Sequence, residues 1–199
     1  IGEVIADRSR LLLQTPESLR ESLDIDVRVG NDVIAIDRKK RTVTVRELAT
    51  GREYTESYDA LALCAGAEPI RPPLPGIDLP GIHVLRRIGD MDVIKAEFDA
   101  ALNAAANPSD VHCVVIGAGY IGLEMAENLR HRGATVDVVE MADQILPPLD
   151  HEISVPVERH LRSRGVGLHL STAAAAFTAR VGGGLNVELK NSTALGADL

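Results

Sequence analysis

The sequence predicts an α/β protein in which a parallel β-α-β-α-β array follows an antiparallel β-meander. Three observations carry this reading. Short apolar runs alternate with helical patterns over residues 111–170, and short connections between such units favour a parallel, right-handed arrangement. Residues 32–58 show period-two alternation interrupted by polar turns, the pattern of antiparallel strands. Between them, Pro69, Pro72, Pro73, Pro75, Gly76, Pro80 and Gly81 crowd into a stretch that reads as a stiff connector and a domain boundary.

Taken in chain order, Thr15-Pro16-Glu17 is a helix start. Thr15 can cap, Pro16 fits the first helical position, and Glu17 suits the positive helix end. The helix is expected to run to about Leu23, and Val27–Val29 reads as a brief strand. Asp32–Asp37 and Thr42–Arg46 alternate, joined by the solvated basic turn Arg38-Lys39-Lys40-Arg41. A turn at Thr50-Gly51 returns the chain along Arg52–Tyr58. Ala60–Gly66 is nearly continuous in apolar character, which suits a strand buried on both faces. After the connector, Asp90 can cap a helix from Met91 to about Ala106. Residues 111–116 form a strand, a Gly-rich turn and helix follow to Gly133, and Thr135–Glu140 is the next strand. Asp150 and Ser154 compete as caps of a helix ending near Gly165. With the first, Pro156 falls inside the helix; with the second it sits harmlessly in the first turn. Val166–Leu170 is a strand, and Phe177–Val181 with Leu185–Lys190 flank Gly182-Gly183-Gly184 as a hairpin.

Composition narrows the function. The 199 residues are 45% apolar and 25% charged, an ordinary globular balance. With two Phe, three Tyr and no Trp, platforms for stacking nucleic-acid bases are not expected. A net charge of −8 argues against a phosphate-backbone-binding face, so no nucleic-acid partner is expected. No apolar run is long enough to span a membrane and no signal peptide opens the chain, which points to no membrane and a cytoplasmic setting. Cys64 and Cys113 do not make a disulfide framework; each lies in an apolar stretch and reads as structural, without a Cys-x-x-Cys partner. The six His residues show no metal-ligand spacing.

The strongest motif is Gly117-Ala118-Gly119-Tyr120-Ile121-Gly122. It follows an apolar strand and opens a helix, and the next strand ends in Glu140, which completes the context of a dinucleotide-binding fingerprint on a Rossmann-like fold. Gly117 permits the tight turn, Gly119 lets the backbone approach a pyrophosphate, and Gly122 lets helix and strand pack closely. Free N–H groups and the helix dipole favour phosphate there. Glu140 is placed to accept hydrogen bonds from the adenine-side ribose hydroxyls. Its charge repels a 2′-phosphate, so NAD(H) is preferred over NADP(H).

With these stretches in view, the chain resembles the FAD-dependent pyridine nucleotide–disulfide oxidoreductases, in the branch of coenzyme A disulfide reductase, NADH oxidase and persulfide reductase. The resemblance rests on Leu12-Leu13-Gln14-Thr15-Pro16-Glu17-Ser18, on Asp26-Val27-Arg28-Val29, on residues 58–69 from Tyr58 to Pro69, and on residues 116–124 from Ile116 to Glu124. It implies residues 1–80 as part of an FAD-binding domain with the Pro-rich connector, and residues 81–199 as an NAD(H)-binding domain truncated at its C-terminal end. It places Val27 at the adenine end of FAD, Ala65 and Gly66 beside the flavin cofactor, Tyr120 over the nicotinamide pocket, and Glu124 at the flavin–nicotinamide junction, paired with a Lys upstream. Hydride is expected to pass from NADH to flavin and on to a small-molecule disulfide, persulfide or oxygen.

The departures matter equally. The family's first Gly-rich motif, its redox Cys, its later flavin-contacting Asp and its dimerisation domain are not in this sequence. The chain, which opens on Ile1, therefore reads as the central fragment of an enzyme whose full-length form is a homodimer, and no catalytic residue of disulfide reduction is expected within it. The isolated chain is expected to be inactive. Other readings are a ferredoxin or rubredoxin reductase, which shares the two-nucleotide plan without a redox Cys, and a non-catalytic NAD-binding module.

Overall fold

The structure is a computed structural model that describes residues 1–2 and 7–199. It divides into two compact units, residues 5–67 and residues 68–199 with the first residues of the chain. The parting lies at 67/68, whereas the Pro-rich stretch pointed to residue 80. Phe177 donates its N–H to the Pro75 carbonyl at 2.8 Å, and Leu74, Ile77, Leu79 and Ile82 pack into an apolar core of the second unit. Proline lacks a donor but keeps its acceptor, so the stretch binds along a strand edge instead of bridging units.

In the unit of residues 5–67, helix α1 spans Pro16–Leu23. Ser18 donates its N–H to the Thr15 hydroxyl at 3.2 Å, and Thr15 donates its N–H to the Ser18 hydroxyl at 2.9 Å. Asp24 ends the helix in the left-handed region (φ 54°). Strands β1 (Asn31–Asp37), β2 (Thr42–Glu47) and β3 (Glu53–Ser57) form the expected antiparallel meander, with a register shift between Val33 and Ala35. Two expectations fail here. Val27–Val29 is not a strand: Arg28 is tied by its side chain to Asp26 and Glu56, and its backbone joins no ladder among the described residues. Ala60–Gly66 also forms no strand and is exposed throughout. An apolar run becomes a strand only where a neighbouring strand takes its N–H and C=O groups, and no described strand pairs with this one.

In the unit of residues 68–199, helix α2 spans Ile88–Ala104. It starts three residues before the expected Met91. Asp90 is its third residue, not its cap, and its carboxylate accepts the N–H groups of Arg87 (2.8 Å) and Arg86 (2.9 Å). Those bonds, the Arg87 one foremost, hold the Asp90 carboxyl below the ordinary carboxylate range. Strand β4 (His112–Ile116), helix α3 (Tyr120–His131), strand β5 (Thr135–Val139), helix α4 (His151–Ser163) and strand β6 (Gly167–His169) then form the expected β-α-β-α-β array, parallel and in the order β4-β5-β6. Helix α4 starts behind Asp150, so Pro156 lies inside it and Ser154 is a buried helical residue whose hydroxyl donates to the His151 carbonyl at 3.0 Å. Strands β7 (Ala174–Ala179), β8 (Leu185–Leu189) and β9 (Ala194–Ala197) form a second meander, one strand more than the expected hairpin.

The parallel sheet and its helices enclose a core of Phe98, Cys113, Ala126, Leu129, Val136, Val138 and Ile145. Phe98 is fully buried, with the Arg132 guanidinium 5.1 Å from its ring centre. A second cluster joins Val139 to the inward residues Phe177, Leu185, Val187 and Leu189 of the meander.

Candidate functional site

The site forms where β4 ends. Gly117 continues the strand ladder by donating its N–H to the Val139 carbonyl at 2.8 Å, then turns the chain at φ +101°, a conformation that favours glycine. Gly119 caps α3 with extended backbone (φ −78°, ψ −177°). A Cβ built on Gly119 meets nothing within 4 Å, so the open face over this backbone is not filled by the protein. A Cβ on Gly122 would lie 1.9 Å from the Gly117 carbonyl oxygen. Gly122 is thus what allows helix and strand to approach. The first helical bond runs from the Leu123 N–H to the Gly119 carbonyl at 3.0 Å. The N–H groups of Tyr120, Ile121 and Gly122 stand ahead of that ladder, at the positive end of the helix.

Between the first two glycines, Ala118 is fully buried and held on both sides. Its N–H donates to Glu140 Oε2 at 2.8 Å, and its carbonyl accepts the Leu146 N–H at 2.9 Å. Glu140 follows β5 directly. Its second oxygen, Oε1, accepts the Ala142 N–H at 2.9 Å. Its backbone joins the end of β6, donating to the His169 carbonyl (2.9 Å), and the segment after it, accepting from the Thr172 N–H (3.1 Å). One half-buried carboxylate therefore touches both the glycine-rich turn and the loop that leaves β5. Carboxylate oxygens carry more lone pairs than these two donors use, so the group can accept further hydrogen bonds.

The remaining expected site residues divide by unit. Tyr120 and Ile121 are each 60% exposed beside the turn, and Glu124 is exposed on α3. An apolar cleft of about 600 Å³ borders Gly119, Tyr120 and Ile121, with Ile82, Val84 and Ile116 also lining it. Val27 is half-buried, while Ala65 and Gly66 (φ +73°) are exposed; all three belong to the other unit. The structure thus brings Gly117, Gly119, Tyr120, Ile121 and Gly122 together with Glu140.

Cys64 lies in the irregular exposed segment, not in a strand. Cys113 is buried in β4, where burial above all, with the Asp198 charge, pushes its thiol up to about 12. Among the described residues, no group of three or more His, Cys, Asp or Glu could hold a metal ion, and no helix is long and apolar enough to cross a membrane. Sequence reasoning missed Ala118, Ala142 and Leu146, which contribute through their backbones. Leu146 stands at φ +48°; Pro147-Pro148 after it marks a turn there, but not which backbone group the turn offers to Ala118.

Comparison with known proteins fits this geometry. An NADH oxidase of Methanocaldococcus jannaschii is 36% identical over 162 residues, which is 81% of this chain and 34% of that protein. A coenzyme A disulfide reductase of Staphylococcus aureus is 34% identical over 171 residues, 86% of this chain and 37% of that protein. The chain spans about a third of the length of these relatives. The water-forming NADH oxidase of Lactobacillus brevis, solved with NADH bound, is 30% identical, with a TM-score of 0.87 over all of this chain and 42% of that one. Its engineered NADPH oxidase variant, solved with NADPH, matches at 29% identity and a TM-score of 0.86, again over all of this chain and 42% of that one. That variant carries exchanges at a glycine, at an aspartate eighteen residues on, at the two residues after the aspartate, and at a proline seven beyond it. The family model for pyridine nucleotide-disulphide oxidoreductases matches residues 3–199, and this chain belongs to that family.

Proposed function

We propose that residues 68–199 bind NADH as the nicotinamide half of an FAD-dependent oxidoreductase, with a disulfide, persulfide or oxygen as the final acceptor. The carrying observation is the approach of Glu140 to the glycine-rich turn, 2.8 Å from the Ala118 nitrogen. In this reading the N–H groups of Tyr120, Ile121 and Gly122 receive the pyrophosphate, over a Gly119 whose missing side chain leaves the approach open. Glu140 accepts the ribose diol. Tyr120, exposed beside the apolar cleft, covers the nicotinamide end, and Glu124 faces the flavin junction. Offsets support Glu140 as the selector. The exchanged aspartate, its two successors, the proline and the glycine of the NADPH-binding relative correspond in spacing to Glu140, Met141, Ala142, Pro147 and Gly122.

Residues 5–67 are in this proposal part of the flavin-binding domain, with Val27, Ala65 and Gly66 near FAD. Nicotinamide and flavin, when bound, supply the electron chemistry; the protein binds and aligns them. These 199 residues carry neither the family's first Gly-rich motif nor its redox Cys, so in this proposal they alone reduce no disulfide, hold FAD weakly and purify colourless. The whole protein acts as a homodimer.

Paired calorimetric titrations test the NADH assignment. Glu140→Ala removes charge-assisted hydrogen bonds and is expected to weaken NADH by about 1.5–3 kcal/mol, roughly 10- to 100-fold. NADPH gains relief from repulsion, so the NADH-to-NADPH preference falls at least tenfold. A wild-type preference for NADPH, or an unchanged ratio in the variant, overturns the assignment.

A further inference from the structure

We propose that Glu140 is a positioning residue for the glycine-rich turn as well as the reader of the ribose, so that one carboxylate couples the shape of the phosphate site to the choice of coenzyme. The inference rests on the NADH reading for its functional meaning, but its geometry stands in the ligand-free protein. The peptide units around Ala118 have two anchors outside the turn. Its N–H goes to Glu140 Oε2 (2.8 Å) and its C=O takes the Leu146 N–H (2.9 Å). The same carboxylate receives the Ala142 N–H (2.9 Å), at the start of the loop that carries Leu146. That loop is tied further, with Ser171 donating its N–H to the Ala142 carbonyl at 2.8 Å. The turn, the loop after β5 and the segment after β6 thus meet around one side chain.

Two N–H donors converge on one side chain, and this decides which residues can replace it. A carboxylate is acceptor-only and satisfies both. A glutamine offers one acceptor oxygen and one NH₂ group, which would face an N–H with another donor. Its charge-neutral, nearly isosteric side chain therefore still reaches a ribose but breaks one of the two anchors, and a buried N–H left unpaired is costly. An aspartate keeps the acceptor-only character, and an aspartate stands at the corresponding offset in the Lactobacillus brevis enzyme. Coupling also explains why a change of coenzyme there goes with exchanges at the glycine, the loop residues and the proline, not at the acidic residue alone.

Backbone amide exchange on the ligand-free 199-residue chain, read residue by residue by NMR, is the test. In Glu140→Gln one of the two amides, Ala118 or Ala142, is expected to exchange at least tenfold faster than in wild type. The Gly117 amide, bonded to the Val139 carbonyl, keeps its protection and reports an intact sheet. Glu140→Asp restores Ala118 and Ala142 to within about threefold. Unchanged Ala118 and Ala142 protection in Glu140→Gln, or faster exchange that Glu140→Asp shares in full, overturns the proposal. If the exchange pattern appears as expected while wild type binds neither coenzyme, the positioning role stands and the NADH reading fails. If NADH binds and protection is unchanged, the NADH reading stands and the positioning role fails.

Discussion

Residues 68–199 and residues 5–67 draw on similar apolar material and use it differently. Val136, Val138 and Val139 of β5 are at most 1% exposed, because β4 and β6 flank the strand, the helical core covers Val136 and Val138, and the β7–β9 meander covers Val139. In the meander of β1–β3, Val45 is the buried hydrophobic residue among those described, while Val33, Ile34 and Ile36 remain 37–52% exposed. Leu61 and Leu63, in an apolar run as continuous as that of β4, are 40% and 74% exposed. Burial is thus a property of the neighbours a run acquires, not of the run alone. The unit that surrounds its strands with helices also holds the glycine-rich turn by bonds on both sides of Ala118.

The two cysteines give the largest contrast. Cys113, its thiol pushed up to about 12, has on the order of one thiolate in ten thousand at pH 8, and it is buried as well. Cys64 is open to solvent. Alkylation by iodoacetamide in the native state, followed by peptide mass spectrometry, is expected to label Cys64 at least a hundredfold faster. Comparable rates would mean that the β4 core opens as readily as the segment around Cys64.

Core truncation comes next. Phe98→Ala removes a fully buried ring and its contact with Arg132, and is expected to cost about 3–5 kcal/mol. Val45→Ala, in the meander, should cost about 1 kcal/mol because its surroundings are already solvated. Chemical denaturation of each variant checks both. Similar losses would show that the meander is packed as tightly as the parallel sheet.

Much of this difference was legible in the sequence, and the illegible part has a physical reason. The period-two and apolar patterns, Thr15-Pro16 and the Gly117–Gly122 motif located most elements, because those signals are local. The Ala60–Gly66 strand failed because pairing is not local. Helix α2 begins behind Arg87 because Asp90, a good capping residue by type, serves the backbone from inside the helix. The Pro-rich stretch joined the second unit because the Pro75 carbonyl found the Phe177 N–H. At the site, the residue types of the glycines and Glu140 were readable. The anchoring through the Ala118, Ala142 and Leu146 backbones was not, since backbone donors carry no residue signature.

Within the better-packed unit, Gly122→Ala probes how close the helix and strand must be. Its Cβ would stand 1.9 Å from the Gly117 oxygen, so backbone must move, at a cost expected near 1–3 kcal/mol in thermal or chemical denaturation. The relative with an exchange at the corresponding glycine was solved with NADPH bound, so the fold is expected to survive and the effect to appear as a shift, not a loss. A neutral result would mean that α3 slides freely on β4 and that the turn is less constrained than its bonds indicate.

The smallest effect expected carries an unusual sign. Thr172 is 6% exposed, and its hydroxyl has no hydrogen-bond partner among the described residues, although its N–H donates to the Glu140 carbonyl. Ser154, fully buried, has its hydroxyl satisfied by the His151 carbonyl. Substituting both by apolar residues of matching shape separates the two cases. Ser154→Ala removes a made bond and leaves a carbonyl to the helix, a loss of about 1 kcal/mol. Thr172→Val keeps the branched shape and backbone bond and removes only an unpaired polar atom. It is expected to be neutral or to stabilise by up to about 1 kcal/mol in the ligand-free chain. If Thr172→Val instead destabilises by that amount, the hydroxyl has a partner such as an ordered water. The segment after β6 would then be held by a polar contact of its own, and not only by the backbone bonds that tie it to Glu140 and Ala142.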